Sequence, residues 1–430
     1  MRNAITAPSP LNQMISGSKW QPAGRGLSDM SSRYPVRMIF QSHFLLTAML
    51  TLTITKLISG DSAVGEEPNR VSPGQIQIRE AISAAIPLLE KSSRGSAEQR
   101  KCFTCHSQAL PIMALTEARL RNFEVDTNNY ERQIKHTVAH LRKGESNYAQ
   151  GKGQGGGVDT AGYALWTLEA GQYPVDHIID AVTHFLLRSP GDSDHWQCSS
   201  NRPPSESSDF TTTYLAIRGL KYYSKKNQDD FVEKRFESAL KWLLAAKPTT
   251  TEDKVFHLRA LDYLDAPTAS VKRFTANLLR EQHADGGWGQ TDSMESDPYA
   301  TATTLVGLVR TGQIDRDNPL FSKGISFLLK QQTEQGSWHV KSRSKPFQKH
   351  FETGFPHEKD QFISTAATAW ATLALLLALP SQQDPLDEAS LKVPNSSDNS
   401  GNSRQREQAN HRFAHCYQES GKAFVNSHWH

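Results

Sequence analysis

Three stretches of this chain repeat one another without gaps, and such self-similarity constrains the architecture more than any other feature. His184-Phe185-Leu186-Leu187, Ala276-Asn277-Leu278-Leu279 and Ser326-Phe327-Leu328-Leu329 align, and nine residues after the last leucine of each stands a tryptophan: Trp196, Trp288 and Trp338. A second apolar segment follows each tryptophan, at 209–220, 297–308 and 360–375, with an earlier relative at 159–168. The first member of each unit carries apolar residues at helical spacing, as in Phe321, Ile325, Leu328 and Leu329, with charge on its other face. The second is apolar or small almost all round, which describes a buried helix. The pattern predicts an all-α chain that alternates amphipathic outer helices with buried inner ones.

Pairing these segments gives six hairpins: 75–92 with 106–122, 128–143 with 159–171, 178–188 with 209–224, 232–246 with 253–265, 268–283 with 297–311, and 319–332 with 361–379. The runs from Gln282 through Gly286-Gly287-Trp288 to Gln290, and from Gln331 through Gly336-Ser337 to Trp338, resemble the Gln/Trp repeats of the squalene–hopene cyclase and protein prenyltransferase superfamily. The resemblance covers residues 128–380 and implies an α/α toroid, six inner helices within six outer ones. The domain reading is a leader over 1–63, a first hairpin over 64–127, toroid repeats over 128–380 and a disordered polar tail over 381–430.

Loop lengths orient the ring. The outer-to-inner connections 144–158, 189–208, 284–296 and 333–360 are long, whereas 266–267 is a minimal inner-to-outer link. Alternate helices point opposite ways, so the long loops emerge together on one face, and function tends to sit on loops held by a rigid scaffold.

On that face lies Cys102-Phe103-Thr104-Cys105-His106, a C-x-x-C-H run. Exported proteins use this pattern to bind haem c, the thiols of Cys102 and Cys105 forming thioethers and His106 serving as axial iron ligand. Met113, His136 and His140 are the nearest candidates for a sixth ligand. A redox dithiol or part of a metal site stays open beside haem; with four cysteines in the chain, a second C-x-x-C is impossible. Arg33 and Arg37 ahead of an apolar run from Phe44 to Ile54, then Gly60, Ser62 and Ala63, read as a secretory signal with Met38 a more ordinary start, either cleaved or kept as a membrane anchor. The expected location is therefore the periplasm or the outer side of a membrane. A net charge of +3 excludes a strong field for nucleic acid.

The resemblance implies a protonating Asp-x-Asp-Asp cluster or an Asp/Cys/His zinc triad, and the chain has neither string at an inner-helix start. Asp159, Asp209, Asp297 and Asp360 open the inner helices singly and are read as N-caps. Trp196, Trp288 and Trp338 are read as packing between hairpins. Catalytic candidates are Asp159, Asp297, His350, His357 and Asp360, the last three in the long loop from Trp338 to Ser364. The glycine-rich run 151–157 lacks Walker spacing and reads as a flexible loop. Two readings follow. One is an exported toroid with haem c that binds an apolar, isoprenoid-like small molecule and couples it to a redox step, with a redox partner and without acid-initiated cyclisation. The other is a non-catalytic binding toroid whose Cys pair is structural, metal-binding or redox-sensing.

Overall fold

The computed structural model describes residues 73–225, 228–345 and 349–380, so the leader and tail readings fall outside the described residues. Helix α1 (Pro73–Gln99) opens the first hairpin, and α2 (Leu110–Leu120) follows a π-helical turn, Cys105–Ala109. Then come α3 (Thr127–Lys143), the short α4 (Glu145–Ala149), α5 (Gly157–Ala170), α6 (His177–Arg188), α7 (Asp209–Tyr223) and α8 (Asp229–Ala245). The chain continues through α9 (Thr251–Tyr263), α10 (Thr268–Arg280), α11 (Pro298–Arg310), α12 (Pro319–Gln331) and α13 (Gln361–Ala378). The expected hairpins are all present, with α4 an addition inside the 144–158 connection.

Packing closes the ring. Helices α2, α5, α7, α9, α11 and α13 each pack on the next, and α13 packs back on α2. The first hairpin therefore completes the toroid between the last and the second. The outer helices show the expected stripe: α12 buries Phe321, Gly324, Ile325, Phe327 and Leu328 and leaves its remaining face outward. Inner helix α11 is buried continuously from Pro298 to Leu308. Helix α13 is apolar and long enough to cross a membrane, yet it is mostly buried as one of the inner helices. Each fully buried Leu, Ile or Phe in these layers contributes roughly 1.5–3 kcal/mol.

The tryptophan repeat has one geometry in three copies. The indole N–H of Trp196, Trp288 and Trp338 donates to the carbonyl of Leu186, Leu278 and Leu328 at 2.8, 2.9 and 2.7 Å. Their backbone N–H groups donate to Thr213, Thr301 and Thr368 hydroxyls on the inner helices. Each tryptophan thus ties an outer helix to its inner partner, with its ring fully buried. The glutamine of the motif reaches the next hairpin: Gln282 Nε2 donates to the Leu320 carbonyl on α12, at 2.8 Å. Gly286 (φ +91°) and Gly336 (φ +88°) turn the chain here in the left-handed region, and a Cβ at either would lie 2.6 Å from a carbonyl oxygen of the following outer helix, Lys323 or Ala84.

Candidate functional site

The inner helices all begin on the long-loop face, so their N-terminal ends form the mouth of the ring. There Thr104 caps the π-helical turn: its hydroxyl accepts from the Ser107 N–H at 3.3 Å and donates to Gln108 Oε1 at 2.6 Å. This fixes Cys105 and His106 at the mouth, on a turn type that concentrates at functional sites. Cys102 lies outside the turn and is exposed, and its carbonyl is bonded to His136 Nε2 of α3 at 3.1 Å. Between the thiols, buried Phe103 stacks on His140 at 6.1 Å. The two cysteines therefore have different surroundings.

The Cys105 thiol is buried and donates to Glu206 Oε1 at 2.6 Å. Burial, then the Glu206 charge, pushes its pKa well up. His106 Nδ1 lies 3.7 Å from Cys105 Sγ, its ring packs 4.9 Å from that of Phe362, and its Nε2 is buried with no hydrogen-bond partner. Burial and then the neighbouring Arg202 hold this imidazole neutral, with a pKa down to about 3. Glu206 arrives from the 189–208 loop through a tight turn in which Arg202 and Glu206 exchange backbone hydrogen bonds and pair through their side chains. One ligand atom each from Cys105, His106 and Glu206 lies within 4.8 Å of the others, a spacing that suits a metal ion. Neither His136 nor His140 belongs to this group. Met113 is buried in the second turn of α2, in the apolar core.

Of the aspartates read as caps, Asp297 alone behaves as one, accepting from the N–H groups of Tyr299 and Ala300. Asp159 sits inside the first turn of α5 behind Gly156, and its buried carboxylate accepts from the Thr212 hydroxyl and, at 3.1 Å, from the Cys198 thiol. Asp209 follows the actual cap, Ser208, and receives the Cys198 N–H. Asp360 precedes α13 without capping it and accepts from Ser342 N–H and His339. Burial raises both Asp159 and Asp297 to about 6 in spite of their hydrogen bonds. At both, desolvation outweighs the two or three donors that reach the carboxylate.

Neither His350 nor His357 belongs to the Cys105, His106 and Glu206 group. His350 is exposed and bonded to Glu352, while His357 donates to or accepts from Ser337 Oγ at 2.8 Å and stacks on His339. His357 adopts φ +80° and lines an open cleft of about 570 Å³ with Thr333, Glu334, Gln335 and Pro356.

Below the mouth the ring is aromatic. Tyr163, one turn beneath Asp159, is buried, and Trp166 lies 5.8 Å from Tyr214 and 6.2 Å from Trp370, ring centre to ring centre. Glu252, in the first turn of α9, accepts from Thr211 Oγ1 at 3.0 Å and from Tyr299 OH at 3.1 Å. Burial raises its pKa to about 8, which keeps it protonated at neutral pH. Sequence reasoning missed Glu252 and Glu206. The second had a usable signal in the long-loop argument, which already placed 189–208 on the face of the C-x-x-C-H run.

No protein-family model matches the chain. A 79-residue stretch, 18% of the chain, is 32% identical to drimenyl diphosphate synthase from Streptomyces showdoensis, spanning 14% of that enzyme. Over 125 residues, 29% of the chain, identity to lanosterol synthase from Aspergillus fumigatus is 33%, spanning 16% of that enzyme. Among solved structures, the type II terpene cyclase MstE from Scytonema with its product merosterolic acid A superposes with a TM-score of 0.47 and 14% identity, over 71% of this chain and 99% of that one. A possible GH105-family member from Salmonella enterica gives 0.45 and 13%, over 73% and 96%. The fold is an α/α toroid, and the chain spans only a small part of the length of the two terpenoid-forming enzymes it matches.

Proposed function

We propose that this is an exported, terpene-cyclase-like toroid protein that binds an apolar, isoprenoid-like molecule within its aromatic ring and carries a redox centre at the mouth, a haem c that Cys102, Cys105 and His106 would hold. The observation that carries this reading is the His106 imidazole, which is neutral and fixed beside Cys105, with its Nε2 buried and lacking any partner. Haem, when bound, supplies one-electron chemistry whose character depends on the sixth ligand. The chain's own residues orient it: Thr104 and Gln108 hold the turn that presents Cys105 and His106, and the rings of Tyr163, Trp166, Tyr214 and Trp370 offer an apolar wall to the ligand. Production in a host with export and c-type maturation, followed by a pyridine haemochrome spectrum and haem staining of a denaturing gel, tests the proposal. Stain in the wild type that is lost when Cys102 and Cys105 become Ser supports it, and a colourless wild type overturns it.

A second reading is favoured by Glu206, whose carboxylate a haem does not need. A thiolate, an imidazole and a carboxylate meeting within 4.8 Å match a divalent ion such as zinc in a non-catalytic binding toroid. Metal analysis of the same preparation separates the two: one equivalent of zinc that is lost in Glu206→Ala belongs to this reading, whereas haem content independent of Glu206 belongs to the first.

A further inference from the structure

We infer that the ring takes its ligand as a monoanion and that Arg259 receives the charged group, the ligand being an apolar chain ending in a carboxylate. This rests on the apolar-ligand part of the proposed function and goes beyond it in naming the head group and its seat. Arg259 stands on α9 at 7% exposure, its guanidinium carbon 4.4 Å from the ring centre of Tyr214, 5.0 Å from Trp166, 5.2 Å from Phe256 and 5.6 Å from Trp370. These rings come from four inner helices, so the cation lies inside the ring. Nη2 donates to Tyr214 OH at 2.8 Å, while Nη1 is buried with no acceptor. The indole N–H of Trp370, in the same basket, is also buried without one. Buried donors with no acceptor are rare in folded proteins, and here two share one aromatic basket.

Among the described residues, no carboxylate is ion-paired with this charge either. Arg218 is paired with Glu169, and Arg310 and Arg121 share Glu117, so these carboxylates are already engaged by other guanidiniums. Glu252, on the same side of α9, is protonated at neutral pH. Cation–π contact compensates a desolvated guanidinium only in part. A carboxylate supplies two oxygens to a planar guanidinium edge and the missing charge at once. A diphosphate carries more charge than the one unpaired cation matches. Seven residues of helix, roughly 10 Å, separate Arg259 from Glu252, so the head group lies deep and the apolar chain runs past Phe256 and Tyr163 toward Cys105.

Titration of the purified full-length protein at pH 7 with farnesoic acid, farnesol and farnesyl diphosphate, followed by tryptophan fluorescence and calorimetry, tests the inference. The acid is expected to bind at least about tenfold more tightly than the alcohol, and the diphosphate no better than the acid. Arg259→Met should remove the acid's advantage and leave alcohol binding in place. Should that variant not fold, Trp370→Phe keeps a ring but deletes the orphan N–H, and should weaken the acid more than the alcohol, whose own change reports the lost ring area. Equal binding of acid and alcohol, a preference that survives both substitutions, or tighter binding of the diphosphate overturns the assignment to Arg259. Binding of none of the three overturns the apolar-ligand reading beneath it.

Discussion

The side-chain amide of Gln332 donates to the backbone carbonyl of Ala81 at 2.8 Å, joining residues 251 positions apart. The same amide also reaches the Gly336 carbonyl at 3.0 Å, so one side chain holds the turn before Trp338 and fastens α12 to α1. Gln282 makes the equivalent pair of bonds between neighbours in sequence, to Gly286 and Leu320. The last copy of the repeat therefore does between the last and first hairpins what the earlier copy does between adjacent ones. That is how a linear array becomes a ring.

The closing bond should be measurable. Gln332→Ala leaves the Ala81 and Gly336 carbonyls without this donor and should cost about 1–2 kcal/mol in reversible denaturation. Gln282→Ala should cost a similar amount. Proteolysis separates them: the Gln332 variant should become susceptible around α1, and unchanged protection there would mean that closure rests on apolar packing alone.

Trp288→Ala and Trp338→Ala should each cost roughly 3–5 kcal/mol, as truncation of a fully buried aromatic does, since each also removes an indole hydrogen bond to a leucine carbonyl. Thermal unfolding of both variants beside wild type checks this. A shift in one and none in the other would show that the two copies are not equivalent.

The repeat made the hairpins legible because a helix that packs on both sides must be apolar on both sides, and residues such as Thr304, Leu305 and Val306 carry that signature locally. The boundaries followed to within a few residues, except that α1 runs to Gln99 and α4 occupies part of a connection read as loop. Side-chain roles were less legible. Asp159, Asp209, Asp297 and Asp360 look alike in sequence, yet only one caps, since the choice depends on where the chain enters each helix and on whether Thr212, Cys198 or Ser342 reaches the carboxylate. Glu206 meets Cys105 across 101 positions, and Glu252 meets Tyr299 across 47. No local pattern encodes such pairs. They appear only once the ring has closed.

Glu252 gives stability a pH dependence. Its folded pKa, about 8, lies above the ordinary value of 4.5, so the folded state holds a proton that the unfolded chain releases earlier. Its contribution is therefore fully present below about 4.5 and lost as pH rises toward 8. Glu252→Gln keeps a neutral side chain at all pH values and should flatten the fall in stability across that window. A parallel decline in wild type and variant would assign the proton to another group.

Acid-initiated cyclisation should be absent. Protonating an unactivated alkene demands a carboxylic acid that is neutral yet strongly acidic, with neighbours that stabilise the anion it leaves behind. Asp159 is the acid nearest the expected position, but with a pKa of about 6 it is largely ionised at neutral pH, and its partners are a hydroxyl and a thiol with no second carboxylic acid bonded to it. Glu252 is protonated, but burial makes it a weak donor, because the anion formed would lie desolvated in the ring with only Thr211 and Tyr299 to receive it. One group has the wrong charge and the other the wrong strength. Purified protein incubated with squalene in detergent should return squalene unchanged by gas chromatography. A pentacyclic product, lost in Asp159→Asn or Glu252→Gln, would show that the ring supplies the missing acidity in a way these two environments do not.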